Sequence, residues 1–328
     1  MPPKTACANP PALQDPADTA LLRLATALRD EGYTFVTPTP ATHARVNARP
    51  GNEWAHTLQD VFGWSRPFRG DTVPSGLLAL MREAGVLAGD GEAWRSLVRL
   101  SCLDRMLFLH SAYPTTAADS VFLGPDTYRF AAALDEWLAR TAAPVRRAVD
   151  IGCGAGPGAM VLAARRPDAE VLGVDINPAA LRLTRINAAL AGVAVTASHS
   201  DLLGGVTGTF DLIISNPPYL VDREARAYRH GGGPLGAGLS LAIIDAALAR
   251  LAPGGTLLLY TGAAIVNGID PFRAAATERV EAAGVKWAYR EMDPDVFGEE
   301  LAEEPYAIAD RIAAVVLTAT KSRETSHA

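Results

Sequence analysis

The stretch VDIGCGAGPGAMVLAARRP, Val149 to Pro167, runs an apolar strand into a glycine-rich turn and then into an alanine-rich helix. Glycines at Gly152, Gly154, Gly156 and Gly158 let a backbone turn tightly and approach a ligand where a Cβ would collide. Outward from this unit the chain alternates strands with helices. The strands expected are Arg146 to Gly152, Ala169 to Ile176, Val193 to Ser198, Phe210 to Ser215, Gly255 to Gly262, Val285 to Met292 and Arg311 to Thr320. PAALRLTRINAALAG, LSLAIIDAALARLAPGG and DPFRAAATERVEAAG are the main helices between them. Strands apolar on both faces, separated by helices, indicate a doubly wound, seven-stranded, mostly parallel α/β sheet.

At 328 residues the chain exceeds the usual size of a single core, so a second, smaller domain is expected. TALLRLATALRDEGY and SGLLALMREAGVL carry helical spacing, and WRSLVRLSCLDRMLFLH reads as a helix end or strands. The expected division is a flexible leader 1–18, a mainly helical domain 19–120 with a small β-ribbon, the α/β domain 121–320 and a flexible tail 321–328. Formal charge is -6, with 13 basic against 15 acidic residues through Val145, so neither half carries a nucleic-acid footprint. Arginine supplies 27 of the 30 basic residues, a compositional bias and not a set of phosphate ligands. Cys7, Cys102 and Cys153 lie far apart, without a zinc-type spacing, and no metal site is expected. The proline-rich start lacks the apolar run of a signal peptide, and no segment approaches a membrane span. These features predict a cytoplasmic protein; they set no oligomeric state.

A glycine loop alone is ambiguous, since flavin, nicotinamide and S-adenosylmethionine sites all use one. Three acids sharpen it: Asp150 before the loop, Asp175 ending the next strand in GVDINP, and Asp201 after the third in SHSDLL. A single Asp at a strand end often caps a helix, but three at neighbouring carboxyl ends line one crevice. They offer acceptors for an amino group, a ribose diol and an adenine amine. The dinucleotide pattern fits poorly because Pro157 stands at its third small residue, and no Tyr-x-x-x-Lys pair exists for hydride chemistry.

These residues resemble class I S-adenosylmethionine-dependent methyltransferases, with VDIGCGAGPGA, GVDINP and SDLL as their first three motifs over roughly 121–320. The resemblance implies a Rossmann-like methyltransferase fold and S-adenosyl-L-methionine as cofactor. Gly152, Cys153, Gly154 and Gly156 would wrap its methionine part, with Asp150 near the amino group. Asp175, with Ile176 and Asn177, would take the ribose, Asp201 and Leu202 would border the adenine, and Asn216 would reach the cofactor from the fourth strand.

That fourth strand runs FDLIISNPPYL, Phe210 to Leu220. Two prolines after a strand can be a rigid exit loop with Tyr219 packed on the core. Beside a methyl donor the corner has a chemical use. A planar amide or aromatic amine is a poor nucleophile because its lone pair is delocalised, so two acceptors must orient its nitrogen. The Asn216 side-chain oxygen and the Pro217 carbonyl are those acceptors, Pro217 and Pro218 stiffen the corner without a competing N–H, and Tyr219 offers a stacking face. Neither a cysteine at this strand end nor a metal cluster supports carbon or catechol methylation, and His199 and His230 read as loop residues near the site.

The corner resembles two groups of amino-methyltransferases: the HemK-like enzymes that methylate glutamine amides of release factors, and enzymes of exocyclic amines in nucleic acids. HGGGPLGAGLSLAIIDAALARLAPGGTLLLYTG is similar to the glutamine group, and FLGPDTYRFAAAL to its Pro-x-Pro-Asp-Thr-Glu segment, which puts Asp126 and Thr127 near the cofactor and Tyr128 in place of the acid. RHGGGPLGAG departs from the acidic-Pro and Ala-Leu pairs of that group, and the N-terminal region is longer, with Trp54, Trp64 and Trp94. The implied activity is N-methylation of a glutamine amide in a protein substrate. A ribosomal RNA or DNA amine stands as the alternative, disfavoured by net charge, and a small molecule comes third.

Overall fold

The computed structural model describes residues 13–89, 92–222, 226 and 228–323. The N-terminal region holds α1 (Pro16–Asp30), α2 (Pro40–Asn47), α3 (Leu58–Phe62) and α4 (Ser75–Glu83). Two hairpins follow, β1 (Leu87–Gly89) with β2 (Trp94–Ser96) and β3 (Val98–Leu103) with β4 (Met106–Ser111), so WRSLVRLSCLDRMLFLH resolves into strands. Helix α1 starts inside the segment assigned to the leader, because the Asp15 carboxylate accepts the Ala17 N–H at 2.8 Å and Pro16 needs no donor partner. The remaining leader through residue 12 and tail residues 324–328 lie outside the described residues.

Next come α5 (Pro125–Arg140), β5 (Arg147–Ile151), α6 (Pro157–Arg165), β6 (Glu170–Asp175), α7 (Pro178–Ala191), β7 (Thr196–His199) and β8 (Phe210–Ser215). The chain continues with α8 (Gly238–Arg250), β9 (Leu251–Ile265), α9 (Pro271–Ala282), β10 (Lys286–Asp293) and β11 (Arg311–Thr320). Seven strands form one sheet in the order β7-β6-β5-β8-β9-β11-β10, with β11 antiparallel to both neighbours and the others parallel. The expected seven-stranded sheet is thus present. Strands β8 and β11 have the expected ends, whereas β9 begins four residues early. Helix α8 stops at Arg250 because Pro253 cannot continue it, so LAPGG belongs to the strand.

Alternation along β8 divides the core. Leu212 and Ile214 pack with Phe130, Leu134 and Met160 of α5 and α6, while Ile213 faces Ile243, Ile244 and Phe272 of α8 and α9. The N-terminal region shares its own core with the sheet domain: Leu21, Leu24 and Leu28 of α1 pack with Leu183, Ile186 and Leu190 of α7. At the centre of that junction Asn187 is fully buried. Its amide accepts the Leu109 N–H at 2.8 Å and donates to Leu109 O and Ala155 O at 2.9 and 3.0 Å. One side chain therefore satisfies the free edge of β4 and the glycine loop together.

Candidate active site

The order of strands reverses at β5, whose neighbours are β6 and β8, and a cleft opens there at the carboxyl ends. Gly152, Gly154, Asp175, Ile176, Asn177, Asp201 and Leu202 line one end of it. Asn216, Pro217, Pro218 and Tyr219 line the other. The cleft thus gathers most of the residues expected from the sequence.

Gly154 holds φ +56°, and a Cβ there would meet no atom within 4 Å, so its vacant side faces open space. The Asp175 carboxylate fixes this turn, accepting the Gly154 N–H and the Asn177 N–H at 2.9 Å each. Burial pushes the Asp175 pKa up, and those amides oppose the shift. Beside it Ile176 is 53% exposed, an apolar surface at the rim of the cleft.

Three expected cofactor residues do not line the cleft. Asp150 lies beneath the loop, buried, with Oδ2 accepting the Ala159 N–H at 2.9 Å, and burial raises its pKa to about 8. The Cys153 thiol is buried 3.5 Å from the Thr184 hydroxyl, with its pKa pushed well up by burial. Gly156 caps the start of α6 in a left-handed conformation. In this structure all three frame the loop. His199 and His230 also lie off the lining, and His230 Nδ1 accepts the Asp222 N–H at 3.2 Å.

At the opposite end, Ser215 Oγ donates to Ile151 O at 2.7 Å and ties the last residue of β8 to the start of the glycine loop. Asn216 comes next, half-buried, and its amide makes no hydrogen bond among the described residues. Tyr219 is only 6% exposed. Its ring lies where a Gly262 Cβ would stand, 2.2 Å from the nearest ring carbon, and its hydroxyl makes no hydrogen bond among the described residues. Next to it the buried Asp126 accepts the Tyr260 hydroxyl at 2.7 Å. Burial raises the pKa of both Asp126 and Tyr219, and the Asp126 charge adds to the rise at Tyr219.

Asp126 and Thr127 stand in the cleft as the FLGPDTY segment suggested. Phe122, Tyr228, Arg229 and Phe297 also line it and were not foreseen. Phe122 and Tyr228 pair at 6.0 Å between ring centroids, and Tyr219 and Phe297 at 5.9 Å. Among the described residues, no group of His, Cys, Asp and Glu has the arrangement of a metal site, and no helix is long and apolar enough to cross a membrane.

The family model described as "Methyltransferase small domain" matches residues 131–265. A release factor glutamine methyltransferase of Deinococcus radiodurans is 39% identical over 164 residues, covering 47% of this chain and 55% of the relative. A protein of the same name from Cereibacter sphaeroides is 38% identical over 175 residues, 49% of this chain and 60% of its own. A ribosomal RNA small subunit methyltransferase C of Chromohalobacter salexigens is 37% identical over 118 residues, 36% and 32% of the respective chains. The chain spans little more than half the length of the first two relatives. The glycine loop, the Asp175 and Asp201 strand ends and the Asn-Pro-Pro-Tyr corner share one cleft, and the chain carries a match to the methyltransferase small domain and is similar to release factor glutamine methyltransferases over part of their length.

Proposed function

We propose that the protein transfers a methyl group from S-adenosyl-L-methionine to a planar nitrogen, the side-chain amide of a glutamine in a protein substrate such as a release factor. The observation that carries this reading is the free Asn216 amide, set at the cleft beside a corner that Ser215 locks to the glycine loop. The cofactor end suits the donor. Gly152 and Gly154 leave room along the backbone, Asp175 offers carboxylate oxygens for a ribose diol, and Ile176 with Leu202 offers apolar cover for an adenine.

Bound S-adenosyl-L-methionine would supply an electrophilic methyl on a sulfonium. The residues of the chain do the rest by placement. Asn216 Oδ1 and the Pro217 carbonyl accept the two N–H bonds of the incoming amide, which turns its nitrogen lone pair toward the donor. Orientation of this kind is worth several orders of magnitude in rate. As the nitrogen–carbon bond forms and the sulfur–carbon bond breaks, the nitrogen sheds one proton to solvent, so the corner needs no dedicated base. Pro217 and Pro218 hold the carbonyl in place because neither has an N–H to draw the backbone elsewhere.

The similarity to glutamine methyltransferases favours an amide over a nucleobase, as does the acidic balance of both halves. The test is methyl-labelled cofactor incubated with the enzyme, a release factor and total RNA, followed by separate protease and nuclease digestion. Label released by protease and retained through nuclease is expected. Label released by nuclease alone would sink the amide reading in favour of a nucleic-acid amine.

A further inference from the structure

We propose that Phe297 is a specificity-determining residue of the acceptor pocket, presenting a ring that selects a planar group; this rests on the planar-nitrogen reading above. Phe297 lines the same cleft as Asn216 and Pro217, yet lies beyond the residues that the family model matches. It reaches the cleft from the connection between β10 and β11. The neighbouring Tyr219 ring is nearly hidden against Gly262, whereas Phe297 is half-buried and meets it at 71°. Ring surface at this end thus comes from Phe297 more than from Tyr219.

The backbone supports a deliberate placement. Phe297 holds φ 55° and ψ 41°, a left-handed conformation that a bulky residue rarely adopts. Strain of this sort persists where surrounding contacts enforce it. Here Val296 N–H donates to Ile312 O at 2.8 Å on one side, and the Glu300 N–H donates to Phe297 O at 2.9 Å on the other. The same connection grips the loop after the Asn-Pro-Pro-Tyr corner: Val221 N–H donates to the Tyr306 hydroxyl at 2.9 Å, and Arg229 pairs with Glu300. Arg229 also lies 3.5 Å from Asp222. Phe297 and the acceptor corner are consequently fixed to one another. Phe122 and Tyr228 add a second aromatic pair to the lining, with Tyr228 held by its hydroxyl donating to Thr115 O at 2.6 Å. Flat rings on the walls favour a flat ligand, each stacked contact contributing about a two- to tenfold preference.

Phe297→Leu keeps an apolar side chain and removes the ring; Phe297→Tyr keeps the ring. The probe is benzamide, a planar primary amide without a peptide, titrated by calorimetry into protein saturated with S-adenosylhomocysteine. Wild type and Phe297→Tyr should bind it alike, and Phe297→Leu about fivefold more weakly. With a release factor, Phe297→Leu should raise KM by a similar factor while kcat and cofactor affinity stay within about twofold. Equal benzamide affinity for wild type and Phe297→Leu, or no binding to wild type, overturns the assignment. Loss of benzamide affinity in Phe297→Leu, with no methyl transfer to glutamine by wild type, instead discards the glutamine acceptor and retains the role of Phe297.

Discussion

The two ends of the cleft are built by different means. At the proposed cofactor end, contiguous segments after three successive strands line the cleft, and the Asp175 carboxylate is held by the amides of Gly154, one strand away, and Asn177, two residues on. At the proposed acceptor end, Phe122, Asn216, Tyr228 and Phe297 arrive from segments up to 175 residues apart, with Phe122 paired to Tyr228 and Phe297 to Tyr219 of the corner. A donor common to many enzymes needs one constant cradle, whereas the acceptor differs between enzymes, and variable connections are where such differences accumulate.

If the two ends are separable, Asn216→Ala should cut methyl transfer on the order of 10²–10³-fold, the size of a lost positioning group. Cofactor affinity by calorimetry should stay within about twofold. A large loss of that affinity with turnover intact would erase the distinction. The converse change is Gly154→Ala, which forces a Cβ onto φ +56° at a cost of roughly 1–2 kcal/mol. Cofactor binding should weaken about tenfold, while kcat at saturating cofactor remains near wild type; a matching fall in kcat would mean that the loop also shapes the acceptor end.

The smallest effect concerns Asp150 as frame. Its folded pKa of about 8 lies above the ordinary carboxylate value, so folding takes up a proton between roughly pH 4 and 8. Stability contributed by this group is therefore present at low pH and declines as pH rises through that window. Asp150→Asn mimics the protonated acid and still offers an oxygen to the Ala159 N–H. Urea midpoints of the cofactor-free protein should fall between pH 6 and pH 9 for wild type and fall less for the variant. Parallel falls would show that Asp150 does not supply the pH dependence.

This contrast also explains what could be read from sequence. The apolar run Phe210 to Ser215 and the glycine loop are local patterns, and both stand where expected. The Asp175 position was legible because a strand end fixes an adjacent residue's direction. Asp150 and Cys153 illustrate the limit: their places in the motif are local, but whether they face the cleft or the core depends on packing by Ala159 and Thr184. Phe297 was hidden for another reason. It follows an ordinary strand by only a few residues, and its left-handed backbone occurs without the glycine that would announce it. The Val296 N–H bond to Ile312 O, 16 residues away, helps to set that conformation, and no short window contains it.

Asn187 has a consequence for the order in which the chain acquires structure. Until residue 187 has been synthesised, β4 has no side chain to occupy the backbone groups of Leu109, although the hairpin itself is already complete. A nascent chain ending before α7 thus presents an open strand edge together with the uncovered leucines of α1. The amino-terminal half emerges first but is finished second, sealed by a helix from the half that follows it. A fragment ending near residue 120 should accordingly associate or aggregate where the full chain does not.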